Sequence, residues 1–346
     1  MKRLLTAAMI AALLAYGLPL LTLGMSGEKD KQTEEEAEQG QEAQAVQSDQ
    51  ATPVSAQSYD EKTQVTVLVH GQVETMPLSQ YLRGVVAAEM PASFPPEALK
   101  AQAVAARTYT LYKLQAYQQG VDIPESHMGA QLCDDFSHCK AYVDLDQVEQ
   151  SLWGEDAAEY RAAIDSAVGD TDGMAVTYQG ELIAAVFHAA SSGQTEDALD
   201  VWGASHPYLT SVESPGEQDC PKYQGQVSIA PSQFAEIFLE AHPEADFSQP
   251  ADTWFRDSNR SQSGGVINVS VGGVRVSGAE VRSLLGLNST NFTLQASEEA
   301  LVFSTLGYGH GVGLSQYGAR ALALEGKSFS DILKWYYQGT EIAIKG

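Results

Sequence analysis

Basic residues are scarce in this 346-residue chain: 20 Lys and Arg stand against 45 Asp and Glu, a formal net charge of −25. Nucleic-acid binding needs clustered cations that displace counterions from phosphates, so that class of partner is excluded. Cysteine is scarcer still, with three residues, which excludes the disulfide framework of a small secreted scaffold. No internal repeat is visible, so solenoids and propellers drop out. The glycine-rich loop Gly307–Gly313 lacks a Gly-Lys-Ser/Thr ending and is therefore no phosphate loop. What the chain does have is 44% hydrophobic residues, enough for one large or two moderate cores.

Only one stretch, Leu4 to Leu23, is apolar and uncharged over a long run, and it follows Lys2 and Arg3. Its length matches a ~30 Å hydrocarbon layer at ~1.5 Å per helical residue. Residues 1–25 are therefore expected to be a single-pass membrane anchor, with the basic pair cytoplasmic and everything after Met25 outside. A cleaved signal peptide is the rival reading, although no A-x-A site follows the run. Residues 26–58 bunch Glu34, Glu35, Glu36 and Glu38 among Gln, Ala and Ser. This composition predicts a disordered acidic linker, and it lacks the apolar stripe of a helical stalk.

Residues 59–346 read as the folded part. Gln64 to Val69 alternates as a strand, turns at Gly71 and returns through Val73. A helix starts at Leu78. Pro95 and Pro96 interrupt it, and Pro96 opens a second helix running to about Tyr117. The apolar run Leu182–Phe187 reads as a strand ending at His188. Further helices are expected over 232–241, Ser277–Leu285, Ser315–Leu324 and Phe329–Tyr337, with a hairpin over Val266–Val276 turning at Gly272 and Gly273. Strands and helices alternate irregularly, which predicts an α+β fold of mixed helices and short antiparallel sheets.

Within the first helix, Leu78, Leu82, Val85, Val86 and Glu89 share one stripe, so a carboxylate falls on the apolar face. Desolvation there raises its pKa toward the range useful for a general acid. A structural pair with Arg107 on the next helix is the competing reading. That second helix is rich in alanine and offers Gln102, Arg107 and Tyr109 from a rigid element. His188 is followed by Ser191, Ser192, Gly193 and Thr195, donors and acceptors suited to sugar hydroxyls. His310 lies among glycines, ahead of Gln316 and Tyr317. His127, Cys133, His138 and Cys139 fall within thirteen residues. This spacing leaves two readings open, a closed Cys2His2 zinc site and a Cys133–Cys139 disulfide. Cys220 is unpaired in both.

Taken together, Tyr81–Pro91 and Glu97–Tyr109, then His188–Thr195 continuing to Trp202, then Gly307–Arg320, resemble in order the motifs of the stage II sporulation protein D family. That resemblance implies a lytic transglycosylase whose Glu89 acts as acid and base on peptide-free peptidoglycan strands, leaving 1,6-anhydroMurNAc ends during engulfment. It implies a glycan-binding cleft contacted by Gln102, Arg107, Tyr109, His188, Ser191, His310, Gln316 and Tyr317. It also implies a structural Zn2+ on His127, Cys133, His138 and Cys139, and no cofactor for catalysis. The implied partners are stage II sporulation proteins P, an amidase/endopeptidase, and M, a membrane protein, at the cell membrane with the catalytic domain outside. Ser192 departs from the family pattern, where glycine is usual. Two other classes compete: a noncatalytic glycan-binding module that stimulates a partner amidase, and a Ser/His hydrolase built on Ser191 or Ser315, for which the sequence offers no orienting acid.

Overall fold

The structure is a computed structural model that describes residues 58–345 apart from Ser137. The expected membrane anchor and nearly all of the expected linker lie outside the described residues. Among those described, no helix is long and apolar enough to cross a membrane.

A first hydrophobic core is begun by residues 58–182. Ser58 caps α1 (Tyr59–Lys62), and a hairpin follows, β1 (Gln64–Val69) with β2 (Gln72–Pro77). The second strand runs to Pro77, beyond the Val73 expected, because its partner pairs along its whole length. The helix α2 (Leu78–Glu89) buries Leu78, Tyr81, Leu82, Val85 and Val86, at about 1.5–3 kcal/mol for each large side chain. It stops where Met90 turns extended, as a residue preceding proline tends to. Pro96 then opens α3 (Pro96–Gln118), whose alanines let neighbours approach on several sides. β3 (Leu132–Cys133) adds parallel to β1. α4 (Leu145–Val148) and α5 (Ala157–Gly169) lead to β4 (Met174–Tyr178) and β5 (Glu181–Leu182).

The apolar run 182–187 does not form one strand. It divides between β5 and β6 (Phe187–His188), because Ala185 and Val186 donate to Ile183 and Ala184 just before them and leave no ladder. After α6 (Ala198–Trp202), the chain builds a second core from β7 (Gln224–Ile229), α7 (Pro231–Ala241), β8 (Phe255–Arg260), β9 (Val266–Val271), β10 (Val274–Ser277), α8 (Gly278–Leu285), β11 (Phe292–Ala296) and β12 (Leu301–Leu306). Two three-stranded antiparallel sheets, in the orders β10-β9-β8 and β11-β12-β7, surround Phe234, Phe238, Trp254 and Phe303. The hairpin turn at Gly272–Gly273 and the Ser277 cap fall where the sequence puts them.

The chain then returns to complete the first core with β13 (Leu314–Ser315), α9 (Gln316–Leu324), α10 (Phe329–Tyr336) and β14 (Glu341–Ile344). β14 pairs with β4, while β13 pairs in parallel with β6. The fold is α+β as expected, with two short parallel pairings among otherwise antiparallel sheets.

Candidate active site

Glu89 is the last residue of α2, at the point where the chain turns away toward Pro91. Its carboxyl accepts one hydrogen bond from the Ala141 N–H (3.2 Å to Oε1) and a long one from Gln316 Nε2 (3.5 Å to Oε2). Burial pushes the Glu89 pKa up, against the lowering effects of the Lys140 charge and of those two donors. Lys140 makes no ion pair with it. The ammonium sits instead over the rings of Phe187 (3.7 Å to the centroid) and Tyr109 (4.5 Å), and burial lowers its pKa to about 8. The result is a desolvated acid with one amide donor and a caged cation nearby.

The segment that supplies Lys140 and Ala141 is held from both sides. Gly84 on α2 lets it pass: a Cβ there would lie 2.3 Å from the Tyr142 ring and 2.5 Å from the Val143 carbonyl. Upstream, His127, Cys133, His138 and Cys139 converge, their ligand atoms all within 4.8 Å of one another. Sulfur-to-nitrogen separations are 3.5 Å (Cys133 to His138), 3.6 Å (Cys139 to His127) and 3.8 Å (Cys139 to His138). Zinc bonds of ~2.0–2.3 Å imply tetrahedral edges of roughly 3.3–3.8 Å, so these donors fit a closed site. The two imidazole nitrogens, 2.6 Å apart, are closer than such an edge and would separate on loading. Both cysteines are free thiols, and Lys113 Nζ donates to Cys139 Sγ (3.1 Å).

The other expected contacts divide into three groups. Gln316 reaches Glu89 itself and Tyr109 reaches only Lys140 beside it, whereas Gln102 is fully buried behind Gln316, whose Nε2 is 3.5 Å from Gln102 Oε1. His188 and His310 form a second group, with ring centroids 5.6 Å apart and Trp202 5.4 Å beyond His310. His188 Nδ1 bonds the Val312 carbonyl, and burial lowers its pKa to about 4, so the ring is neutral. Tyr317 packs edge-on against Phe94 beside the proline turn.

Arg107 is a correction. It is fully buried, and its guanidinium is engaged by Asp60 (2.6 Å to Oδ2 at the shortest), Thr171, Met174 O and Val168 O. It therefore neither pairs with Glu89 nor offers a donor to a ligand. A cation on an alanine-rich helix looks available in sequence, and only the fold shows that Asp60 consumes it.

Ser191 is also committed inward. Its hydroxyl donates to Glu217 Oε1 (2.8 Å), and the Ser315 hydroxyl donates to Oε2 of the same carboxyl (2.9 Å). The acid that a serine hydrolase would require is thus present, but it accepts directly from buried serines, Ser214 as well as Ser191 and Ser315, with no histidine between them. That geometry argues against Ser191 or Ser315 as a nucleophile. Burial pushes Glu217 up to about 7. Neither Glu217 nor Lys140 was anticipated. The motif spacing carries no signal for Glu217, and Lys140 could have been found only by following the Cys139 segment one residue further.

Contacts of Gln316 with Glu89 and Gln102, of His188 with His310, and of β13 with β6 bring the four sequence motifs together. A family model described as stage II sporulation protein matches residues 69–178. Stage II sporulation protein D of Bacillus subtilis (strain 168) is 36% identical over 293 residues, covering 85% of this chain and 80% of the relative. The chain belongs to the stage II sporulation protein D family. Its counterpart from Bacillus amyloliquefaciens is 36% identical over 274 residues, 78% of this chain and 75% of that one. The chain is also similar to a Bacillus subtilis protein named Amidase enhancer, 28% identical over 312 residues, which span 75% of this chain and 40% of that protein. Family membership accounts for the shared order of the motifs; the roles of individual side chains rest on the geometry above.

Proposed function

We propose that this protein is a peptidoglycan lytic transglycosylase acting on peptide-free glycan strands during sporulation engulfment. The observation that carries this reading is Glu89, a partly buried carboxyl with a raised pKa and no second carboxylate among its hydrogen-bond partners. One acid suffices for the chemistry. Glu89 gives its proton to the GlcNAc O4 of the glycosidic bond as the MurNAc C1–O bond breaks. The MurNAc 6-hydroxyl closes on C1 and returns a proton to Glu89. The products are a 1,6-anhydroMurNAc end and a free GlcNAc 4-hydroxyl, with no water consumed. The acid must be protonated to start, so the rate falls as pH rises through the raised pKa of Glu89.

His127, Cys133, His138 and Cys139 would hold a structural zinc, which cross-links the loop that presents Lys140 and Ala141. Anchoring by residues 1–25, an extracytoplasmic catalytic domain, and action with stage II sporulation proteins P and M complete the reading. They rest on the Leu4–Leu23 run and on family membership.

The test compares the full chain with Glu89→Gln on peptide-free strands, with products read by mass spectrometry. Anhydro ends are expected from the wild type, and a loss of about 10²–10⁴-fold from the variant. The similarity to Amidase enhancer supports a second reading, a glycan-binding module that stimulates an amidase. Strand binding by both proteins with cleavage by neither would replace the first reading with the second.

A further inference from the structure

Glu196 follows the His188–Thr195 loop and is 5% exposed, and its Oε2 has no hydrogen-bond partner. An ionised carboxylate can only accept, so a buried oxygen of this kind is costly until a donor arrives. The chain makes room for it: a Cβ on Gly265 would lie 2.3 Å from Glu196 Oε1. The backbone N–H of Glu196 is tied to the Gly311 carbonyl (2.8 Å), which fixes the residue against the His310 loop.

Glu196 lines a crevice between that loop and the second core, with Ser191, Gln194, Asn291 and His310 on its walls. Its enclosed space, about 10 Å³, takes no more than about one water-sized group, so the crevice does not enclose a ligand. It suits one edge of a larger molecule lying across it. Packed on the wall residue His310 is Trp202, 45% exposed although large and aromatic (5.4 Å between ring centroids). An exposed indole held in place by a neighbour offers a flat apolar face of the kind that packs against the C–H face of a pyranose. The crevice connects to the acid through a line of contacts, from Trp202 to His310 to His188, and from the adjoining Phe187 to Lys140 beside Glu89.

We propose that Trp202, His310 and Glu196 form a sugar subsite outside the bond-cleaving centre, which takes a neutral N-acetylated ring of the strand, stacks it on Trp202 and draws a hydroxyl or acetamido N–H to Glu196. A MurNAc lactyl group would bring another acceptor to an acceptor, so the ring taken is N-acetylglucosamine. This rests on the glycan-cleaving reading above and extends it to how the strand is held.

The test uses tetra-N-acetylchitotetraose, titrated calorimetrically into the full chain carrying Glu89→Gln, so that binding is measured without turnover. Adding Trp202→Ala or Glu196→Gln is expected to weaken binding about fivefold or more, and Trp202→Phe to keep it within about twofold of the parent. Circular dichroism identifies any variant that misfolds. Because Trp202 is exposed, its Ala/Phe pair decides the matter even if Glu196→Gln fails to fold. A parent that binds the probe, with both variants within twofold of it, overturns the subsite and leaves the cleavage reading standing. So does a parent that ignores the probe while the wild type still produces anhydro ends. Failure of the wild type to produce those ends is instead the failure of the cleavage reading.

Discussion

Glu89 and Glu217 are both glutamates removed from water, and their surroundings differ in kind. Glu89 ends a helix where the chain turns toward Pro91, with one amide donor, one long side-chain contact and a cation that does not touch it. Glu217 is 1% exposed and is stapled by the hydroxyls of Ser214, Ser191 and Ser315, the last two from different motifs. One carboxyl has been left short of partners, as the proposed proton transfer requires. The other has been supplied with partners where loops must be joined. Burial raises both pKa values, so a shifted pKa does not distinguish an acid catalyst from a structural clasp; the supply of donors does.

Substitutions should separate the two. The largest effect expected on activity is that of Glu89→Gln, with the melting temperature near that of the wild type, since few bonds are lost. The reverse pattern would place Glu89 with the structural carboxyls. The largest effect expected on stability is that of Asp60→Asn, which leaves the buried Arg107 charge without its counterion and costs about 3–5 kcal/mol in urea unfolding.

Glu217→Gln should act more mildly and through pH. With its pKa raised to about 7 in the folded state, Glu217 binds its proton more tightly there than in the unfolded chain. The wild type therefore loses stability as pH rises from about 4.5 through 7, by about 3 kcal/mol from this group, and holds level above that. The variant should lack that slope, read as the difference between the two unfolding curves at pH 5 and pH 8. The smallest effect is expected from chelation. Stripping metal from the zinc-loaded protein should lower the melting temperature and cleavage together, since the same loop carries Ala141; cleavage untouched by chelation would uncouple that loop from the acid.

The sequence already displays Glu89, the proline-separated helices and the glycine-rich loop, because each rests on short-range pattern: helical spacing, a fixed φ, or alternating glycines. The four metal-type ligands are legible for the same reason. Arg107 misleads because its fate is decided by Asp60, 47 residues away, which no local pattern links to it. Glu217 is silent because two of its three serines arrive from positions 191 and 315; only Ser214 is local. The strands β7, β8, β11 and β12 escape notice because several of their faces are exposed and polar, as in β8, which buries none of its six residues. What sequence pattern conveys is which residues share a face. What it omits is which faces meet.

The return of the chain after Leu306 also bears on biosynthesis. Glu89 is made well before Gln316, the Ser315 hydroxyl that reaches Glu217, and the helices that close around α3. A nascent chain that ends at Leu306 would carry Glu89 without the groups that frame it. Premature termination before that return would then leave the first core incomplete.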